Sequence, residues 1–213
     1  MDDRTNFGPA QASGIAWAQQ ARNDLLRIVR INEEIKAIVG VAFKINIMAL
    51  NAIFLAKRAG TAARGFGVLS HELRVFSQDL RDSMVGLTRL IHACVSEVSH
   101  VLQDIRQTRL LHQAVESSRD GRLVEVLAER ESRNAEHAQH LVVLRKQLKR
   151  ALDDAFQLVE LGGMLAKSAK IEAAYGQSFA ASLAQVSGEF DGVVEEIRTS
   201  LEALRRSAFF TGR

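Results

Sequence analysis

Glu97 and His100 stand three residues apart in a segment of helical apolar spacing, so both project from one helix face. A carboxylate and an imidazole at that spacing are one part of a dinuclear metal site in a helical bundle. Such a site also needs a second Glu-x-x-His and further inward carboxylates. None is present: Glu136 and His140 are four apart, and His92, His112 and His137 fall at unrelated phases. Charged helix faces are expected, with no metal and no other cofactor. Cys94 is the lone cysteine, which excludes an internal disulfide, and it falls on an apolar seam as a small hydrophobe would. Gly162-Gly163 is followed by no Lys-Ser/Thr, so it is no phosphate loop and reads as a kink or a close helix contact. Arg145, Lys146, Lys149 and Arg150 form a short basic stripe that reads as a solvated helix face. No nucleophile has a base in a recognisable relation to it, so the chain is not expected to be an enzyme.

These residues must be carried by long helices. The chain has 213 residues, 47% of them apolar and 25% charged, the balance of a globular protein. Its one proline, Pro9, leaves every later residue able to donate a helical hydrogen bond. The 28 basic and 25 acidic residues are too evenly matched for a nucleic-acid footprint. The longest uncharged run in the helical region, Ile45 to Ala56, has 12 residues, short of the roughly 20 a membrane span requires. The N-terminus lacks the basic-then-apolar order of a signal peptide. A cytoplasmic protein with no transmembrane segment is expected.

Ile31, Ile35, Ile38, Ala42, Ile45, Ala49, Ala52 and Ala56 alternate in steps of four and three, a heptad seam. Small residues and three glycines over 58–67 predict a turn. A second seam runs from Phe66 through Leu73, Phe76, Leu80, Leu87, Ile91, Cys94 and Val98 to a turn signal at 117–121. A third, through Leu141, Leu148, Ala155 and Ala169, stops near Tyr175-Gly176, and a shorter fourth holds Leu183, Phe190 and Ile197. The fold expected is all-α: an elongated antiparallel four-helix coiled-coil bundle made of two tandem hairpins. The first spans 11–117 with its tip at 58–66, the second spans 118–207, and residues 1–10 and 208–213 are tails. At an offset of 117 residues Ala49, Ala52 and Ala56 fall on Ala166, Ala169 and Ala173, and Ser70 and Glu72 on Ser187 and Glu189. A duplicated hairpin would put both tips at the same end.

Residues 41–77, VAFKINIMALNAIFLAKRAGTAARGFGVLSHELRVFS, resemble the signalling tip of methyl-accepting chemotaxis proteins. Asn46, Ala49, Leu50, Asn51, Ala52 and Ala56 match before the turn. Arg58, Ala59 and Gly60 match entering it, and Arg64, Gly65, Phe66, Val68, Glu72 and Arg74 match leaving it. A degenerate second copy falls near 158–194, where Ile171-Glu172-Ala173-Ala174 keeps a signature that the first copy alters to Leu55. The resemblance implies a non-enzymatic signalling protein whose tip binds the chemotaxis histidine kinase and a coupling adaptor through Asn51, Arg58, Arg64, Phe66, Val68 and Glu72. It implies contacts with other receptors, or with a second copy, through Phe43, Ile47, Met48, Leu50 and Arg58. Leu55 and Thr61 replace two of the family's glutamates, which leaves the tip more basic. Ser70-His71-Glu72-Leu73-Arg74 also resembles the phosphoacceptor box of sensor histidine kinases, which implies an alternative as a phosphotransfer protein using His71. A scaffolding coiled coil derived from a receptor is the other alternative.

Overall fold

The structure is a computed structural model that describes residues 9–118, 121–207 and 209, with side chains from residue 19 onward. Residues 1–8, 119–120, 208 and 210–213, and with them most of the expected tails, lie outside the described residues. Four long helices are present among those described: α1 (Pro9–Ala59), α2 (Arg64–Ser118), α3 (Gly121–Ala173) and α4 (Ala180–Arg205). There are no strands among them. The first helix starts at Pro9, two residues earlier than the apolar pattern suggests. Proline is favoured at a first helical position, where its missing N–H is no loss. A 3-10 turn, Gly60–Ala63, joins α1 to α2, and Gly60 takes φ 70°, a left-handed conformation suited to glycine. A second 3-10 turn, Gln177–Phe179, leads into α4, and here Gln177 carries φ 49°.

Each helix packs against its chain neighbours, and α4 closes back onto α1. The heptad seams are the core: Ile31, Ile35, Ile38, Ala42, Ile45, Ala49 and Ala52 of α1 are buried, with Leu73, Phe76, Leu80, Leu87 and Cys94 of α2. Leu148, Ala155, Ala166 and Ala169 of α3 and Leu183, Phe190 and Ile197 of α4 complete it. Near the turns the division is regular. α1 and α3 supply alanines, while α2 and α4 supply Phe66, Leu73, Phe76, Leu183 and Phe190. Small residues on one pair of helices let the backbones approach and give the large side chains of the other pair room. The clearest case is Gly162, where a Cβ would stand 2.5–2.8 Å from the Phe76 ring. The Gly162-Gly163 pair is therefore a close helix contact, with Phe76 in the space that Gly162 leaves.

Register is fixed by polar contacts along the flanks. Arg198 pairs with Glu160 at 3.2 Å and Arg205 with Asp153 at 3.4 Å, holding α4 to α3. Asn134 donates to Thr108 at 3.1 Å, and Arg130 to Asp104 at 3.4 Å and to Gln107, holding α3 to α2. Across the bundle the buried carboxylate of Asp24 accepts from Arg145, whose guanidinium lies 4.8 Å over the Phe209 ring. A buried carboxylate requires such a partner. Phe209 is itself buried and therefore no part of a tail; an aromatic ring there covers the core beyond the end of α4.

Farther from the turns, Glu97 accepts from Nδ1 of His137 at 2.8 Å and from Nδ1 of His140 at 2.9 Å, bridging α2 and α3. His100 does not join Glu97 in a ligand pair; its ring stacks on that of His137 at 5.5 Å. Among the described residues no three His, Cys, Asp or Glu side chains are placed to hold a metal ion. Cys94 is buried, which pushes its thiol up to about 11 despite the nearby Arg145, with Glu97 adding to the rise. Within Gln19–Ser118, which takes in α1, the Gly60 turn and α2, one window is long and apolar enough to cross a membrane, a test that the core helix of a water-soluble bundle also passes.

Two predictions follow from this packing. Gly162→Ala should destabilise the protein by about 1 kcal/mol, because the clash with Phe76 outweighs the gain in helix propensity. Gly40→Ala, with nothing within 4 Å of its Cβ, should stabilise it by about 0.5–1 kcal/mol. Urea denaturation of the two variants checks the opposite signs, and a common sign would contradict the contact at Gly162. For Glu97, burial pushes the carboxyl up, but hydrogen bonds and charge from His137 and His140 outweigh it and leave it below its ordinary value. A lowered carboxyl stabilises the fold above the ordinary carboxylate range, near pH 4.3, and that contribution is lost as pH falls through the lowered value. Thermal melts across pH 3–6 should show a shallower acid loss in Glu97→Gln than in the parent.

Candidate functional site

The end of the bundle with the Gly60 turn gathers the residues that the sequence singles out. Between Lys44 and His71 there is no acidic residue, while Lys57, Arg58 and Arg64 flank the turn. On α1, Phe43, Ile47, Leu50, Phe54 and Arg58 recur at helical spacing and form one stripe directed away from the buried seam of Ala42, Ile45, Ala49, Ala52 and Ala56. Phe43 is 55% exposed and Phe54 63%, uncommon values for phenylalanine that mark an apolar face left uncovered by this chain. On α2, Arg64, Val68, His71, Glu72 and Val75 form the corresponding outward stripe, and all five are exposed. Asn51 is exposed at the margin of the α1 stripe.

Two expected residues are placed differently. Phe66 is not on this surface. It is fully buried, on the opposite side of α2 from Arg64 and Val68, and it heads the seam that continues through Leu73. An aromatic at a seam position beside alanines is drawn into the core by the area it removes from water. It supports the tip from beneath, and Val68 is left as the apolar group nearest the turn on the α2 face, with Val75 farther along it. Met48 is half-buried against the core, around the helix from Phe43 and Ile47, with Leu55 beside it. Phe54 was missed by the sequence reading. The signal was its phase, since it continues the spacing of Phe43, Ile47 and Leu50.

The second turn lies at the same end. Glu172, near the end of α3, rests on Gly65 in the first turn of α2. The buried alanines also pair off at the offset of 117: Ala49, Ala52 and Ala56 with Ala166, Ala169 and Ala173. Buried Ser70 and Ser187 correspond as well. Ser70 donates to the Phe66 carbonyl at 2.7 Å and Ser187 to the Ala184 carbonyl at 2.9 Å.

This geometry agrees with comparisons to known proteins. The family model of the methyl-accepting chemotaxis protein signalling domain matches residues 15–122. Methyl-accepting chemotaxis protein McpB of Bacillus subtilis is 34% identical over 94 residues, 44% of this chain and 13% of the relative. Methyl-accepting chemotaxis protein I of Escherichia coli is 39% identical over 69 residues, 32% of this chain and 12% of the relative. The frizzy aggregation protein FrzCD of Myxococcus xanthus is 30% identical over 81 residues, 38% of this chain and 19% of the relative. The matched part of the chain thus spans less than a fifth of each of these curated relatives. No solved structure matches. The family match runs through α1, the Gly60 turn and the whole of α2, and on it this chain belongs to the methyl-accepting chemotaxis protein signalling-domain family.

Proposed function

We propose that this chain is a non-enzymatic cytoplasmic signalling module whose Gly60 tip docks on the chemotaxis histidine kinase and its coupling adaptor. The observation that carries the reading is the pair of outward stripes at the tip. Arg58 and Arg64 are exposed, offering forked donors for carboxylates, and Val68 supplies an apolar contact between Arg64 and Glu72. Asn51 completes the polar margin. The exposed face of Phe43, Ile47 and Phe54, with half-buried Leu50 between them and Met48 and Arg58 at its flanks, is the contact with other receptor tips or with a second copy. Phe66 acts from the core by fixing how α2 leaves the turn.

The mechanism would be conformational. At the alanine-rich neck the helices are held by small side chains, and two packings of such a seam differ by little volume. A shift between them presents or withdraws the Arg58–Val68 surface. Tandem duplication accounts for the second hairpin. One chain then builds the four-helix bundle, with one tip that keeps the Arg-Ala-Gly turn and one that has lost it.

The experiment is binding of the purified chain to adaptor and kinase, beside an Arg64→Glu/Val68→Ala variant. Both substituted side chains are exposed, so the fold should survive, which a melting curve checks. The parent should bind, and the variant should lose at least about tenfold in affinity, as expected for a hot-spot pair. Equal binding by both forms, or none by the parent, would overturn the reading. Acid-labile phosphate on His71 that disappears in His71→Gln would instead indicate phosphotransfer.

A further inference from the structure

Four of the six histidines lie along the seam between α2 and α3, far from the Gly60 turn: His100 and His112 on α2, His137 and His140 on α3. At 1.5 Å of rise per residue, Glu97 stands about 50 Å along α2 from Arg64. Both of its carboxylate oxygens are taken, Oε2 by Nδ1 of His137 at 2.8 Å and Oε1 by Nδ1 of His140 at 2.9 Å. The second nitrogen of His137 lies 3.8 Å from Asp104, which Arg130 of α3 also faces at 3.4 Å. The Glu97 and Asp104 side chains are only 14% and 15% exposed, so solvent and salt screen them little. Arg145 of α3 acts on Cys94, one turn before Glu97, and is held by Asp24 of α1. α4 has ended beside Asp153, farther along α3. With neutral imidazoles, Glu97, Asp104 and Asp24 face Arg130 and Arg145, one positive charge short. Nearer the α2–α3 turn, His112 meets Glu131 at 3.1 Å, a more exposed contact and so a weaker one.

The seam that carries these groups is thin. Leu73, Leu80 and Leu87 of α2 are buried, whereas Leu102, Ile105, Leu111 and Val115 are only half-buried. Where apolar burial is incomplete, polar contacts decide a larger share of local stability.

We propose that Glu97, His137 and His140 form a proton-operated clasp, closing α2 onto α3 over this half of the bundle in mildly acid conditions and releasing it as pH rises. Imidazole side chains change charge between pH 5 and 8. A neutral ring gives Glu97 one ordinary hydrogen bond. A protonated ring gives a charge-assisted one, roughly twice as strong. The closed seam therefore binds protons more tightly than the open one, and a fall in pH favours it. His100 sets a limit, because its ring stacks on His137 and two charged rings face to face repel. At the acid end Glu97 itself takes a proton and the clasp is lost, but His137 and His140 hold its carboxyl below the ordinary value and widen the closed range. The clasp gives the module a response to protons at a point remote from the tip, and it does not depend on what the tip binds.

The test is amide hydrogen exchange of the full chain from pH 8 to pH 5.5, each rate taken relative to that of an unfolded chain at the same pH. Protection over 95–118 and 121–142 should rise about fivefold or more as pH falls, while protection over 64–90 stays level. Glu97→Gln and His137→Gln/His140→Gln should flatten that rise, and His92→Gln, at an exposed ring, should leave it as in the parent. Protection over 64–90 shows whether each variant is folded. If the double variant is not, His140→Gln takes its place: that ring is 57% exposed, and its loss should reduce the rise without unfolding the chain. A parent with no rise, or Glu97→Gln and the histidine variants rising as steeply as the parent, would overturn the proposal.

Discussion

The close approach of backbones at the turn end is the constraint on which the rest of the structure depends. Ala49, Ala52, Ala56, Ala63, Ala166, Ala169 and Ala173 are all buried there. Alanine removes bulk without giving up helix propensity, so the helices stay intact while their axes draw together. The large side chains that fill the remaining space come from α2 and α4. Phe76 needs the missing Cβ of Gly162, and the packing of Phe66 under the turn needs the alanines of α1. The positive φ of Gly60 then reverses the chain within a four-residue turn. Remove the small residues and the turn end would splay, and the outward stripes would no longer share a surface.

The two hairpins are alike in core and unlike in surface. Alanines, serines and large apolar residues recur at a fixed offset inside the bundle. Outside it, the first hairpin presents Arg58 and Arg64, and the second presents Glu172 and Tyr175. Core positions are constrained by mutual packing on both sides, whereas an exposed position is constrained only by what touches it. A surface divided in this way gives one end of a single chain two chemically different halves.

Much of this was legible in the sequence. The heptad seam named the buried residues of α1 from Ile31 to Ala56, because a 3.5-residue apolar period can be satisfied only along a helix seam, but it left out buried Ala21, Asp24 and Ile28 before them. The turns announced themselves through Gly60 and Tyr175-Gly176. The errors have physical causes. Phe66 was assigned to the surface by resemblance, although its phase with Leu73 already put it inside. Beyond such errors, sequence spacing set Glu97 and His100 on one helix face but gave no sign of Glu97's partners, His137 and His140, which lie 40 and 43 residues away on α3. Only the antiparallel register brings those groups together, and local pattern carries no register. Phe209 seemed to belong to a tail because its contacts, the Arg145 guanidinium and the core, are likewise long-range. The family match ends at residue 122, so the character of the second hairpin rests on the offset of 117 residues and on its packing.

The central claim is that both turns of one chain meet at one end of the bundle. The most direct measurement is the distance between spin labels at Thr61→Cys and Ser178→Cys, both exposed positions. Native Cys94 is buried with its thiol raised to about 11, so labels go to the introduced sites. With helix axes 8–10 Å apart, the account predicts a narrow distribution at about 20–30 Å, unchanged by dilution with unlabelled protein. Turns at opposite ends of helices of this length would be on the order of 75 Å apart. That distance, or a short one that vanishes on dilution, would contradict it.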